Sequence, residues 1–156
     1  AGLGIAGIVI IIKLGFSTVL TYLLFVLNSV FMGLIFLSVS FLVSVLFSDR
    51  AKVIAFTIFL WLFFAVLYDL GLVGLLIITK GVVGNEVFSA LLILNPVDVY
   101  RVLNFLSIGE LRVFLGLAAV ELPGYMNTPV LWVITLLWVV TPLYLSYYFF
   151  KKRYLI

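Results

Sequence analysis

The stretch VIAFTIFLWLFFAVLYDLGLVGLLIIT, Val53 to Thr79, decides the fold, because it is a run of 27 residues with one charged side chain, Asp69. At a rise of ~1.5 Å per residue, a helix of this length would extend ~40 Å, more than the ~30 Å of a bilayer's hydrocarbon core. Basic residues flank the run on both sides: Arg50 and Lys52 precede it, and Lys80 follows it. The stretch therefore predicts a membrane-spanning helix that carries one carboxyl group.

The composition of the whole chain supports a membrane protein. Of its 156 residues, 67% are hydrophobic and 10% are charged, whereas soluble domains have roughly 45–50% and about 25%. The chain contains no cysteine and no histidine, which excludes disulfides, thiolate chemistry and the usual transition-metal ligands. We expect an all-α polytopic membrane protein with no catalytic or metal-binding residues and no bound cofactor.

Two more apolar runs, 17–47 and 130–150, exceed the ~20 residues that a spanning helix needs. With 53–79 they predict three complete spans, called here the first (17–47), second (53–79) and third (130–150) span. The run 1–12 is too short to cross and begins without Met, so we interpret it as the end of a truncated span. The sequence thus predicts one transmembrane domain over 1–156, truncated at its N-terminus.

Basic residues predict the orientation of these spans. Five of them lie in the link between the first two spans or after the third: Arg50, Lys52, Lys151, Lys152 and Arg153. Only three lie between Lys80 and Pro129. The positive-inside rule then places the link, with Asp49, Arg50 and Lys52, and the C-terminus in the cytoplasm. We expect a multi-pass protein of the cell inner membrane, with the lipid bilayer but no nucleic acid as a partner.

The segment 95–122 predicts two external half-helices between the second and third spans. Asn95-Pro96-Val97-Asp98 combines an N-cap amide, a proline at the first helical position and an early acid, and Ser107 to Glu110 forms a capping box for a second helix. The polar residues that mark these helices are Asp98, Arg101, Glu110 and Arg112. We favour a re-entrant hairpin, and a pair of amphipathic helices on the membrane surface is the alternative.

Asp69 is the candidate for a path or coupling role in the second span, together with its neighbour Tyr68. Ala55, Ala65 and Asp69 share an arc of about 80° on an α-helix, and small residues mark helix contacts. Asp69 lies ~24 Å from Val53 along the helix, near the outer boundary, where Arg101 or Arg112 could reach it. A structural anchor and a direct role in a substrate path both stay open.

Asn28 is a third candidate for a path or coupling role. It lies beside a stripe of small residues on the first span: Ser29, Gly33, Ser40 and Ser44. The stripe predicts close helix packing, whereas Asn28 could bond a neighbouring helix or line a path.

Catalysis finds little support in the sequence. Tyr68-Asp69 resembles one half of an intramembrane aspartyl protease site, but no other acid lies inside an apolar run to complete the pair. A Ser–His dyad is excluded because there is no histidine, and there is no GxxxxGK[ST] phosphate loop. We expect a transporter subunit rather than an enzyme, with ATP hydrolysis on a separate partner chain.

Two segments resemble the C-terminal portion of an ABC-2-type permease of the multi-copper-enzyme maturation family. They are SDRAKVIAFTIFLWLFFAVLYDLGLVGLL (Ser48 to Leu76) and LLILNPVDVYRVLNF (Leu91 to Phe105). The resemblance implies a helical six-span subunit that forms a homodimer and binds a cytoplasmic ABC ATPase. It also implies a periplasmic maturation partner and a role in the assembly of a copper enzyme such as nitrous oxide reductase.

The resemblance leaves the moved species open between copper and sulfur. Cu(I) favours thiolate and thioether ligands, and the only such residues are Met32 and Met126, which are more typical of packing. The chain is therefore interpreted as a mechanical transducer. The alternatives are a drug or polysaccharide ABC-2 exporter permease, or a non-transporting membrane anchor of an assembly complex.

Overall fold

The computed structural model describes residues 19–80, 82–107 and 123–154, and every regular element in these ranges is a helix. The predicted truncated span (1–12), most of the second half-helix, Glu110 and Arg112 lie outside the described residues. Within the described ranges, three helices are long and apolar enough to cross a membrane: Val19–Leu46, Arg50–Ile78 and Thr128–Arg153. They coincide with the three predicted complete spans.

The first span is helix α1, Val19–Leu46. The second span begins with α2, Arg50–Leu62, continues through a π-helical segment, Phe63–Leu67, and ends with α3, Tyr68–Ile78. It starts before the apolar run because the Asp49 carboxylate caps the helix, accepting a hydrogen bond from the Ala51 backbone N–H at 2.9 Å.

Two described helices between the second and third spans form a helical hairpin. It consists of α4, Asn85–Ile93, and α5, Pro96–Ser107. The sequence prediction for α5 is confirmed, including its cap, because the Asn95 side-chain oxygen accepts from the Val97 N–H at 3.0 Å. Helix α4 was not predicted, and in the described residues the hairpin pairs 85–93 with 96–107. The second of the two half-helices predicted over 95–122 lies almost entirely outside the described residues.

The third span is α6, Thr128–Tyr154. Asn127 caps it through a 3.1 Å hydrogen bond from the Val130 N–H to its side-chain oxygen, and Pro129 lies in the first turn, where a proline is tolerated. The first and third spans run parallel. Phe31 in the middle of the first span packs edge-to-face on Trp132 near the start of the third, and Arg153 near the end of the third binds backbone carbonyls at the end of the first. The second span runs opposite to both.

The best-packed part of the fold lies where α5 meets the start of α6. Its apolar core consists of Val99, Val102, Leu103, Met126 and Leu131. Met126 is 4% exposed within this cluster, so its thioether fills a gap in the packing. The hairpin is therefore anchored to the third span on its apolar side, which leaves the polar side of α5 for the other two spans.

The packed face of α1 differs from the predicted one. The buried residues of this helix are Asn28, Ile35, Ser38, Val39 and Val43. A Cβ added at Gly33 would meet no atom within 4 Å, and Ser44 is exposed. Among the described residues, the small-residue stripe is thus not a tight helix contact, and its Ser29 and Ser44 hydroxyls bond backbone carbonyls of their own helix.

Candidate functional site

The tip of the α4–α5 hairpin reaches halfway along the spans. The Asn95 side-chain amide donates to the Phe64 carbonyl at 3.0 Å, and Phe64 is the midpoint of Arg50–Ile78, ~21 Å from either end at ~1.5 Å per residue. The Trp138 indole N–H donates to the Ile93 carbonyl at 3.1 Å, and the Tyr68 hydroxyl donates to the Leu91 carbonyl at 2.7 Å. The hairpin thus enters between the spans, and side chains of the second and third spans donate hydrogen bonds to backbone carbonyls near its tip.

The second span contains a π-helical segment where the hairpin tip meets it. In Phe63–Leu67 the backbone hydrogen bonds join residues five apart, as in the bond from the Tyr68 N–H to the Phe63 carbonyl. Two neighbouring carbonyls of this segment accept bonds from α5: Asn95 donates to Phe64, and the Arg101 guanidinium donates to Ala65 at 3.4 Å. Side chains that insert into a helix's hydrogen-bond ladder are a recognised cause of local distortion.

Asp69, Asp98 and Arg101 form an ion-pair cluster next to this segment. The same guanidinium nitrogen, Nη1 of Arg101, donates to the carboxylate of Asp69 in α3 and, at 3.1 Å, to the carboxylate of Asp98 in α5. Asn95 adds a 2.9 Å hydrogen bond to the other oxygen of Asp98. The cluster therefore joins the second span to the hairpin, and it combines two carboxyl groups with one cation.

Asp98 is the more enclosed of the two acids, with 5% of the residue exposed. One of its carboxylate oxygens accepts a hydrogen bond from Asn95, and the other accepts one from Arg101. The Asp98 carboxyl group is therefore held by side chains on both of its oxygens.

The structure supplies the second acid that the sequence lacked for an aspartyl-protease-like pair, because α5 brings Asp98 close to Asp69. Such a pair works by sharing one proton between two carboxyl groups. Here the guanidinium of Arg101 binds both carboxylates. The arrangement thus differs from such a dyad in having a cation bound to both carboxyl groups.

Asn28 joins the first span to the same hairpin. Its side-chain N–H donates to the Asn104 side-chain oxygen at 3.0 Å, and Asn104 in turn donates to the Tyr100 carbonyl at 2.8 Å. One residue further on, the hydroxyls of Ser29 and Tyr100 lie 3.1 Å apart. Asn28 is 2% exposed, and its side-chain oxygen has no partner among the described residues. Asn28 therefore bonds a neighbouring helix, one of the two roles considered for it.

The polar residues of α5 occur at every third position, and this spacing explains how one helix reaches two spans. They are Asn95, Asp98, Arg101 and Asn104. Each step of three residues turns an α-helix by 300°, so the row winds around α5 from the second span to the first. Asp98 and Arg101 were predicted as polar marks of this helix, whereas the contacts of Asn95 and Asn104 were not predicted. This spacing was the signal that could have identified them.

The cytoplasmic-link candidates lie at the far end of the spans from the hairpin. Asp49, Arg50 and Lys52 are all exposed, and Asp49 serves as the N-cap of α2. Among the described candidates, the structure brings Asp69, Tyr68, Asp98 and Arg101 to one place and Asn28 to the opposite side of α5. The link residues Asp49, Arg50 and Lys52 lie apart from the Asp69–Arg101 cluster and from Asn28.

Three spanning helices with a helical hairpin between them define a polytopic α-helical membrane protein, and comparison with known proteins identifies its family. Residues 1–155 match the family described as ABC-2 family transporter protein. The chain is also similar to a probable ABC transporter permease protein NosY from Stutzerimonas stutzeri, with 31% identity over 83% of this chain and 47% of the relative. A protein of the same name from Pseudomonas aeruginosa is 30% identical over 81% of this chain and 46% of the relative.

The chain belongs to the ABC-2 transporter family, as the resemblance of its two segments implied. It spans about half the length of the relatives that it matches. These relatives carry the name of transporter permeases, which are not themselves enzymes, and this supports the prediction of a transporter subunit.

Proposed function

We propose that this chain forms part of a permease subunit that acts with a cytoplasmic ABC ATPase in the maturation of a copper enzyme such as nitrous oxide reductase. Family membership and the permease name of the relatives support the transport class and the ATPase partner. The copper enzyme is inferred from the NosY-like resemblance. In this proposal the subunit is a homodimer in the inner membrane, with its C-terminus in the cytoplasm and a periplasmic protein at its external side.

The observation that carries the proposed mechanism is that the α4–α5 hairpin is tied to two spans at once. Arg101 binds Asp69 in the second span, and Asn104 binds Asn28 in the first. A change in the angle between these spans must therefore break one contact or move α5. ATP-driven movement of the spans would thus reposition the hairpin and the external surface beside it.

The chemistry of the chain favours this mechanical role over direct copper binding. It has no cysteine or histidine, and Met126 packs among apolar side chains. Copper or sulfur would accordingly be a species that the assembled transporter moves or hands over. Asp69, Tyr68 and Asn28 act as coupling residues in this proposal.

The test uses the full-length permease in a cell that makes nitrous oxide reductase and lacks its own copy of the permease gene. The wild-type gene should restore the copper content of the purified reductase. Asp69→Asn should restore much less, at an equal level of permease in the membrane, because its ion pair with Arg101 is lost. Lys80→Gln, an exposed change at the end of the same span, is the matched control and should behave as wild type.

Three results would overturn parts of this proposal. A fully copper-loaded reductase in cells without the permease would remove the maturation role and favour a drug or polysaccharide exporter. Normal copper loading with an ATPase that cannot hydrolyse ATP would favour a membrane anchor. Normal loading with Asp69→Asn would remove the coupling role of the ion-pair cluster.

A further inference from the structure

A groove lies between the first and third spans at the end opposite the hairpin. Its volume is about 290 Å³, and it is lined by Val45, Leu46, Phe149, Lys152 and Arg153. The first three residues form an apolar wall on the sides of the two spans. The two basic residues belong to the last turn of α6, so the rim of the groove is cationic.

Arg153 gives this groove its fixed shape. Its guanidinium donates to the Val45 carbonyl at 2.7 Å, to the Leu46 carbonyl at 3.3 Å and to the Ser48 hydroxyl. It thereby caps the C-terminus of α1, where the helix dipole would otherwise repel an anion. The bridge holds the ends of the two spans together and places a positive charge at the mouth of the groove.

Among the described residues at this end, basic side chains outnumber acidic ones. Lys152 is exposed next to Arg153, with Lys151 beside it, and Arg50 and Lys52 begin the second span at the same end. The nearby acid in the described chain is Asp49, and it is engaged as a helix cap with the Ala51 N–H. Among the described residues, no carboxylate forms a salt bridge with Lys152, so the rim attracts an anion from outside the chain.

We propose that this groove binds one anionic phospholipid, with the phosphate on Lys152 and Arg153 and an acyl chain on Val45, Leu46 and Phe149. The site lies at the end of membrane-spanning helices, where a lipid headgroup and the start of its tails meet protein. Basic residues that flank spans attract anionic lipids, and the apolar wall adds contact along the tail. An acidic protein segment would bind the basic residues at the rim but would leave the apolar wall uncovered. An anionic lipid can contact both, because it carries a charged headgroup and an apolar tail.

The test is native mass spectrometry of the full-length permease with its ATPase, stripped of lipid and then supplied with dioleoyl phosphatidylglycerol or dioleoyl phosphatidylcholine. The wild type should retain one more phosphatidylglycerol per permease subunit than Lys152→Gln does. Lys151→Gln is a matched control, since it removes the same charge from the same turn but does not line the groove, and it should retain the wild-type number. Phosphatidylcholine should show no such difference.

Further measurements separate this site from its competitors. Phe149→Ala should speed loss of the bound phosphatidylglycerol, and glycerol 3-phosphate, which lacks tails, should not displace it. Equal losses for Lys151→Gln and Lys152→Gln would show diffuse attraction to the basic end and overturn the proposal. So would a photo-crosslinker at position 149 that captures the ATPase or another protein rather than lipid.

Discussion

Asn95 offers the sharpest test of how the hairpin is held, because its side chain makes three hydrogen bonds that alanine would remove. It caps α5 by accepting from Val97, and it donates to the Phe64 carbonyl and to the Asp98 carboxylate. Asn95 is 0% exposed, so water does not replace these partners without a change in structure.

The expected loss of stability follows from adding the separate costs. Losing an N-cap costs roughly 1 kcal/mol. Leaving a part-buried carbonyl and a buried carboxylate oxygen without this donor costs about 1–3 kcal/mol for each. The separate costs add to about 3–7 kcal/mol, and partial relaxation of the hairpin reduces the upper end. We therefore expect Asn95→Ala to lower the free energy of unfolding by about 3–5 kcal/mol.

Asn95→Ser separates the cap from the contacts with Phe64 and Asp98. Serine is a good N-cap, but its hydroxyl is too short to keep the two donor bonds of the amide. Asn95→Ser should therefore recover roughly 1 kcal/mol of the loss seen with Asn95→Ala. The assay is reversible unfolding of the full-length permease in mixed detergent micelles. A loss below about 0.5 kcal/mol for Asn95→Ala, the usual range for surface substitutions, would refute the reasoning.

The remaining predictions concern the residues on either side of α5. Arg101→Met should lower the free energy of unfolding by about 2 kcal/mol, a value reduced because the ion pair is partly exposed. In a double-mutant cycle, adding Asp69→Asn should recover part of this loss, because Asp69 no longer carries an unpaired charge. Asn28→Leu or Asn104→Leu alone should each lower the free energy of unfolding by about 1–3 kcal/mol, because the remaining amide loses its partner. The double substitution should leave the free energy of unfolding nearly unchanged, because no buried amide is left without a partner. Thermal unfolding of the full-length variants measures both sets of effects. Additive effects of the Arg101 and Asp69 substitutions, or of the Asn28 and Asn104 substitutions, would contradict the respective prediction.

The three spans and the start of α5 were predictable because each depends on local sequence. Long apolar runs specify the spans, and Asn95 with Pro96 specifies a helix start. Helix α4 was not predictable in the same way, since Gly84 at its N-cap provides no side-chain hydrogen bond and the helix has only 9 residues. Short apolar segments without a cap carry no distinct periodic signal.

The contacts within the site were harder to predict because they depend on tertiary structure. A straight α-helix was assumed for the second span, and the π-helical segment changes which residues share a face beyond Phe63. Arg101 was one of two donors considered for Asp69, and the structure brings it there. Asn104, which bonds Asn28, and Phe64, which bonds Asn95, lie 76 and 31 residues from these residues along the chain. The three-residue spacing on α5 could therefore mark the polar residues but not their partners in other helices.

The π-helical segment also divides the second span into two halves with different neighbours. A π-turn is equivalent to one extra residue in an α-helix, which offsets the following residues by about 100°. The half before it carries the ring of Phe56 that packs on Phe47 at the end of the first span, whereas the half after it turns Asp69 toward α5. Deleting one residue from Phe63–Leu67 would realign the two halves and aim the carboxylate away from Arg101. We therefore expect this segment to tolerate substitutions more readily than a change in its length.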